Sequence, residues 1–89
     1  MSRQVEKIFQ ALGNQTRLDV VKLVLSEKEV SCQKLLEKFP LSQPTMSHHF
    51  RLLLDSGVLT ARKDWVRHYY MVNTQKLNSL GIDLTKLKN

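Results

Sequence analysis

The chain has 89 residues, of which 42% are hydrophobic and 25% are charged, a composition typical of one small globular domain rather than a disordered segment. Its apolar runs are far shorter than the roughly 20 residues that cross a bilayer, and its first residues lack the apolar core of a signal peptide. The single cysteine excludes an internal disulfide. We therefore expect a cytoplasmic protein without a membrane partner, folded as one domain over residues 1–89.

The net charge of +6 favours a polyanion as partner. This charge is spread evenly: Lys and Arg exceed Asp and Glu by seven to five in residues 1–41, four to two in residues 42–72 and three to one in residues 73–89. The chain has no polybasic tail or block. Charge alone therefore favours nucleic-acid binding only slightly.

Two amphipathic helices are predicted at the start of the chain. Apolar residues recur at helical spacing in the first helix, which Gly13 closes; they are Val5, Ile8, Phe9 and Leu12. Asn14 then stands where the cap of a second helix belongs.

Two further helices with a very short connection are predicted over about residues 31–56. Ser31 can cap a short helix that stops at Pro40, and Ser42 can cap the next one. Gly57 follows in the position where helices often end in the left-handed conformation. This pattern is the sequence signature of a helix-turn-helix.

The chain then changes to the composition of strands. Residues 58–72 are rich in β-branched and aromatic residues on either side of the polar pair Lys63-Asp64, which predicts a β-hairpin with its break at that pair. Asn73 or Thr74 can cap a last helix, which we expect to be continuous to Leu80 and to be interrupted by Gly81.

The resulting order is helix, helix, helix, helix, strand, strand, helix, which is a mainly α (α+β) winged helix-turn-helix. The run Leu-Ser-Gln-Pro-Thr-Met-Ser-His-His-Phe at residues 41–50, with the Gly-Val-Leu at 57–59 and the Tyr-Tyr at 69–70, resembles the ArsR/SmtB family of bacterial repressors. The run Phe-Gln-Ala-Leu-Gly-Asn-Gln-Thr-Arg-Leu at residues 9–18 resembles it too. The resemblance implies a homodimer that binds double-stranded operator DNA and represses a nearby promoter.

The fourth predicted helix has an apolar and a polar face. At about 100° per residue, one face carries the residues that pack on the core, namely Met46, His49, Phe50 and Leu53. The polar side carries hydroxyl, amide and imidazole groups that suit base edges; the expected base contacts are Gln43, Thr45, Ser47 and His48.

A second set of residues is expected at phosphates or on the wing, where basic residues suit phosphates and the minor groove. The set is Ser42, Arg51, Arg62, Lys63, Trp65 and Arg67. Trp65 can be a wedge or anchor, or can pack on the inner face of the hairpin, and the sequence leaves both possibilities open. Tyr69 and Tyr70 alternate across the strand, so one of them is expected in the core.

A dimer interface is expected on the first and last helices. Their apolar stripes are more than a domain this small can bury alone, and the resemblance implies the same interface. The residues are Val5, Ile8, Phe9, Leu12, Leu77, Leu80 and Leu84.

We expect neither a metal site nor another cofactor. Many members of the resembling family sense metal through two cysteines in the third helix, but here Ser31 and Gln33 stand at those positions with Cys32 between them. One thiolate cannot hold a soft metal. The sequence also lacks a recognisable catalytic arrangement, which argues against an enzyme.

The main interpretation is a repressor that does not respond to metal, and two alternatives to it stay open. One is a winged-helix module that contacts proteins without specific DNA binding, which the modest charge of residues 42–72 favours. The other is a repressor that senses an unidentified effector.

Overall fold

The computed structural model describes residues 3–87, with five α-helices and three strands in that range. In chain order they are α1 (Arg3–Leu12), α2 (Gln15–Glu27), β1 (Val30–Ser31), α3 (Cys32–Lys38), α4 (Gln43–Ser56), β2 (Leu59–Asp64), β3 (Arg67–Val72) and α5 (Thr74–Ser79). A 3-10 turn follows at Thr85–Leu87. The predicted winged helix-turn-helix is confirmed, with α3 and α4 as the helix pair and β2 and β3 as the wing. No helix within residues 3–87 has the length and apolarity to span a bilayer.

The helices begin and end at the capping residues that the sequence predicts. The side chains of Asn14, Ser31 and Ser42 each accept a hydrogen bond from the backbone N–H three residues on, at 3.1, 3.1 and 3.3 Å. Gly57 ends α4 with a φ of 86°, and its N–H donates to the carbonyl of Leu54. Each contact pairs a backbone group that the helix itself leaves unpaired.

The sheet contains one strand that was not predicted from the sequence. β1 pairs with β3, Val30 opposite Tyr70 and Ser31 opposite Tyr69, so the strand order is β1-β3-β2. Two residues are too few to show an alternating pattern, and this pairing can be recognised only in the folded chain.

The hairpin turn lies two residues beyond its predicted position. Lys63 pairs with His68 and Asp64 pairs with Arg67, so the polar pair that was expected to break the hairpin belongs to β2. Residues 65–66 form the turn. Polar residues are tolerated in this part of β2 because the outer hairpin is exposed to solvent on both faces.

The chain reverses direction after α5 instead of extending the helix. Gly81 has a φ of 79°, and its N–H donates to the carbonyl of Asn78 while the N–H of Ile82 donates to that of Leu77, at 3.0 and 2.9 Å. These two bonds define a Schellman motif. The 3-10 turn then packs against α2, and Leu84 joins the core of its own protomer.

Three of the residues predicted at the dimer interface lie in the protomer core. Ile8 and Leu77 are 0% and 1% exposed, and Leu84 is buried as well. The expectation for these residues is wrong because α1 packs on α4 and α2, and because the tail after α5 folds back against α2.

Candidate nucleic-acid interface

The core holds α4 by one face and leaves the polar side in solvent. Met46, Phe50 and Leu53 are buried. The four residues predicted to contact bases are all exposed, as is Arg51; the four are Gln43, Thr45, Ser47 and His48. The predicted division of this helix into a buried and an exposed face is thus present in the fold.

Ser42 and Thr45 form a linked pair at the start of α4. The Ser42 hydroxyl oxygen accepts from the Thr45 N–H at 3.3 Å, and the Ser42 hydroxyl donates to Thr45 Oγ1 at 2.8 Å. Both side chains are exposed where the helix has unpaired N–H groups and a partial positive charge. This end of α4 is therefore suited to an anionic group.

His49 lies at the edge of the core and contacts α2. An Arg17 guanidinium nitrogen lies 3.2 Å from His49 Nδ1, and Arg17 Nε donates to the carbonyl of Ala11 at 2.7 Å. Arginine can only donate, so Nδ1 is the acceptor. Burial, followed by the charges of Arg17 and His48, lowers the pKa of His49. Arg17 thus joins the end of α1 to α4 and favours the neutral imidazole.

Asp55, at the far end of α4, lies beside basic residues of α1. It lines a cavity of about 200 Å³ together with Arg3, Gln4 and Lys7. Asp55 is the one acidic residue within α4.

The base of the hairpin is anchored on α4. The rings of Tyr70 and Phe50 are 5.1 Å apart, and Tyr70 is buried, which confirms that one of the two tyrosines lies in the core. Burial, with Cys32 nearby, raises the pKa of Tyr70 to about 12, so the phenol is neutral at physiological pH. Tyr69 points to the other face, where the Arg62 guanidinium lies 4.5 Å from its ring centre.

Arg62 is engaged within the protomer. Its Nε and one terminal nitrogen donate to the two carboxylate oxygens of Glu29 at 2.8 and 2.7 Å, and this contact raises the pKa of Arg62 and lowers that of Glu29. The guanidinium and the carboxylate thus form a bidentate pair, which occupies two of the N–H donors of Arg62. The charge of Arg62 is thus paired within the chain, and this contact joins the wing to the segment between α2 and β1.

The outer wing carries Lys63, Arg67 and Trp65, all exposed. Trp65 is 89% exposed, so of its two possible positions the structure has the outer one. Lys63 and Arg67 occupy neighbouring rungs of the hairpin on opposite strands. The wing tip thus combines two cations with an indole in solvent.

The positions that correspond to the metal-binding cysteines have other contacts. The Ser31 hydroxyl caps α3 by accepting from the Lys34 N–H, and Gln33 donates to Glu37 at 3.3 Å. Cys32 is partly buried beside Tyr70. In the described part of the chain no three His, Cys, Asp or Glu side chains form a group that could hold a metal ion.

Two residues that support this surface were not predicted from the sequence. Glu29 has no local signal, since its partner Arg62 is 33 positions away. Arg17 belongs to the motif that carries the family resemblance, but helical periodicity only assigns it to the polar side of α2.

Comparison with known proteins agrees with this architecture. Residues 12–62 match the family model described as a helix-turn-helix domain. An arsenical resistance operon repressor of Staphylococcus aureus is 35% identical over 78 residues, which are 88% of this chain and 74% of the repressor.

Solved structures have the same fold. The crystal structure of an ArsR family transcriptional regulator superposes with a TM-score of 0.73 at 26% identity, over 88% of this chain and 79% of that one. A second similar structure is the solution structure of a homodimeric winged helix-turn-helix DNA-binding domain from Mycobacterium bovis, a possible ArsR-family regulator. It superposes with a TM-score of 0.72 at 25% identity, over 86% of this chain and 70% of that one.

The fold and the exposed face of α4 define a winged helix-turn-helix DNA-binding protein. The chain belongs to the ArsR family of transcriptional regulators. This family and this fold are those of DNA-binding regulators and not of enzymes.

Proposed function

We propose that the chain is a homodimeric repressor that binds an inverted-repeat operator with α4 in the major groove. The observation that carries this proposal is the polar side of α4, where four exposed side chains able to contact bases stand opposite a fully packed face. Such a helix presents donors and acceptors from a fixed backbone, which is the geometry of direct base recognition.

The dimer is supported by the apolar residues that remain outside the core. Phe9 on α1 is 52% exposed and Leu80 at the end of α5 is 36% exposed, with Val5 and Leu12 partly buried. The Mycobacterium bovis neighbour is described as homodimeric. A two-fold dimer would present two copies of α4 to half-sites about one helical turn, or a multiple of it, apart.

The proposed repressor does not respond to metal through a cysteine pair. Ser31 and Gln33 offer no thiolate, and soft metals need several. We expect Zn²⁺, Cd²⁺ and arsenite at stoichiometric dose to leave operator affinity unchanged. A saturable loss of DNA binding at one equivalent per subunit would contradict this part of the proposal.

DNA selection followed by mutagenesis tests the function. The native protein selects its operator from random DNA, and affinity for that operator and for random DNA is measured by fluorescence anisotropy. Replacing all four base-contact residues by Ala should remove the operator preference, at about 1–3 kcal/mol for each lost contact. The four residues are Gln43, Thr45, Ser47 and His48.

The matched control carries Ser26→Ala and Gln33→Ala, two exposed polar residues on α2 and α3. It should keep the native preference. If the fourfold variant also keeps it, α4 is a solvated surface, and a protein-interaction module becomes the better interpretation.

A further inference from the structure

The wing tip has an unfavourable backbone conformation for the residue it carries. Trp65 takes the first position of the two-residue turn with a φ of 58°. Turns of this length favour Gly, Asn or Asp where φ is positive, and a bulky residue there is uncommon. Strain of this kind is often found at functional sites.

The tip also exposes two large apolar side chains together. Trp65 and its neighbour Val66 are 89% and 86% exposed, the highest values among the large exposed hydrophobic residues in residues 3–87. Neither side chain belongs to the core or to the residues packed against it. The indole therefore adds little to folding, and its place at the tip needs another explanation.

The exposed part of the wing carries this apolar tip away from the core. The last four residues of β2 are exposed, and at about 3.3 Å per residue they carry the tip about 13 Å beyond the core. On DNA, the minor groove lies about half a helical turn, about 17 Å, from the centre of a major-groove site. Because Tyr70 packs on Phe50 at the base of the hairpin, the tip is oriented together with α4.

We propose that Trp65, with Val66 beside it, is a wedge that enters the minor groove next to the α4 half-site and partly unstacks a base step. This inference rests on the proposed function and adds a source of specificity to it. Apolar wedges of this kind open flexible pyrimidine–purine steps most easily. The wedge therefore selects TA or CA steps outside the half-site.

The charges around the tip favour DNA over a protein partner or a second copy of the chain. Lys63 and Arg67 lie on the last two rungs of the hairpin, and Asp64 is the only acidic residue there. Cations that flank an apolar wedge can neutralise the phosphates on both sides of a groove. A second copy would instead bring the same cations together.

The native protein carries its own probe, because Trp65 is its only tryptophan. Tryptophan emission is recorded during titration with the selected operator, while anisotropy of labelled DNA reports binding independently. We expect the emission to be quenched in step with binding, because the indole stacks on bases. Binding with unchanged emission would overturn the wedge and leave the repressor proposal standing.

Variants separate the indole from the turn. Trp65→Gly suits the positive φ, so the hairpin should be kept, which the thermal midpoint checks. Operator affinity should fall about tenfold, and Trp65→Phe should restore most of it. A Gly variant that binds as tightly as the native protein would overturn the wedge. Absence of any DNA binding by the native protein would overturn the proposed function itself.

Selection from random DNA completes the test. The native protein should enrich a TA or CA step at a fixed position outside each half-site, and Trp65→Gly should lose this preference while it keeps the half-sites. Identical flanks for both proteins would contradict the inference. Tryptophan emission that is quenched as the protein concentration rises, without any DNA present, would assign the tip to self-association. That result would also overturn the wedge.

Discussion

The helix α4 and the wing hairpin belong to the same proposed DNA surface but are held by different forces. α4 has one face in the core and a capping residue at each end. The hairpin is buried only at its base, at Leu59 and Tyr70, and farther out it is held by the Arg62–Glu29 ion pair. Apolar burial does not depend on charge pairing, whereas salt weakens a contact between exposed charges.

The largest difference between the two regions is expected in stability. Leu53→Ala on the buried face of α4 should lower the free energy of unfolding by about 2–5 kcal/mol, because it removes packed atoms and leaves a cavity. Urea denaturation measures the change. The wing control Val66→Ala should stay within about 0.5 kcal/mol. Similar losses in both variants would show that the hairpin tip contributes to the fold after all.

A smaller effect is expected from the cap of α4. Ser42→Ala should lower the free energy of unfolding by about 1 kcal/mol, since the Thr45 N–H loses its acceptor. The matched control is Ser47→Ala, another exposed serine five residues farther along the chain in the same helix. Equal stability of the two variants in urea would mean that water replaces the cap without cost.

Within the wing, two neighbouring cations should behave differently on DNA. Lys63→Ala should lower the slope of log affinity against log salt by about one, and weaken operator and random DNA alike. Arg62→Ala should leave the slope unchanged because Glu29 already pairs that charge. Glu29→Gln should free Arg62 and steepen the slope by about one. A lower slope in Arg62→Ala would restore Arg62 as a phosphate contact.

The smallest effect concerns pH and His49. Its folded-state pKa is lowered by burial and by Arg17 and His48, so the unfolded chain binds the proton more readily. Stability is therefore full above about pH 6.5 and decreases as the pH falls below that value towards the lowered pKa. The urea midpoint of the native protein should drop between pH 7.5 and 5.5, and His49→Gln should reduce this drop.

The control for the pH experiment is His68→Gln, which changes an exposed histidine on the wing. It should keep the native pH dependence. If both variants reduce the drop equally, the effect belongs to general charge and not to the contact between α2 and α4.

The features that the sequence predicts well are local ones. The caps at Asn14, Ser31 and Ser42 and the left-handed Gly57 each act on backbone within three residues. The two faces of α4 follow from helical periodicity alone. The side chains on those faces, and so the candidate DNA contacts, are therefore determined by the order of residues along one helix.

The tertiary structure decided the contacts that join distant segments. β1 exists only because β3 lies beside it, and Arg62 meets Glu29 across 33 positions. Periodicity identifies the apolar faces that carry Ile8, Leu77 and Leu84 without telling what covers them, and in the fold the same chain buries all three. Capping and periodicity operate within one or two helical turns, whereas burial and ion pairing depend on which segments the closed chain brings together.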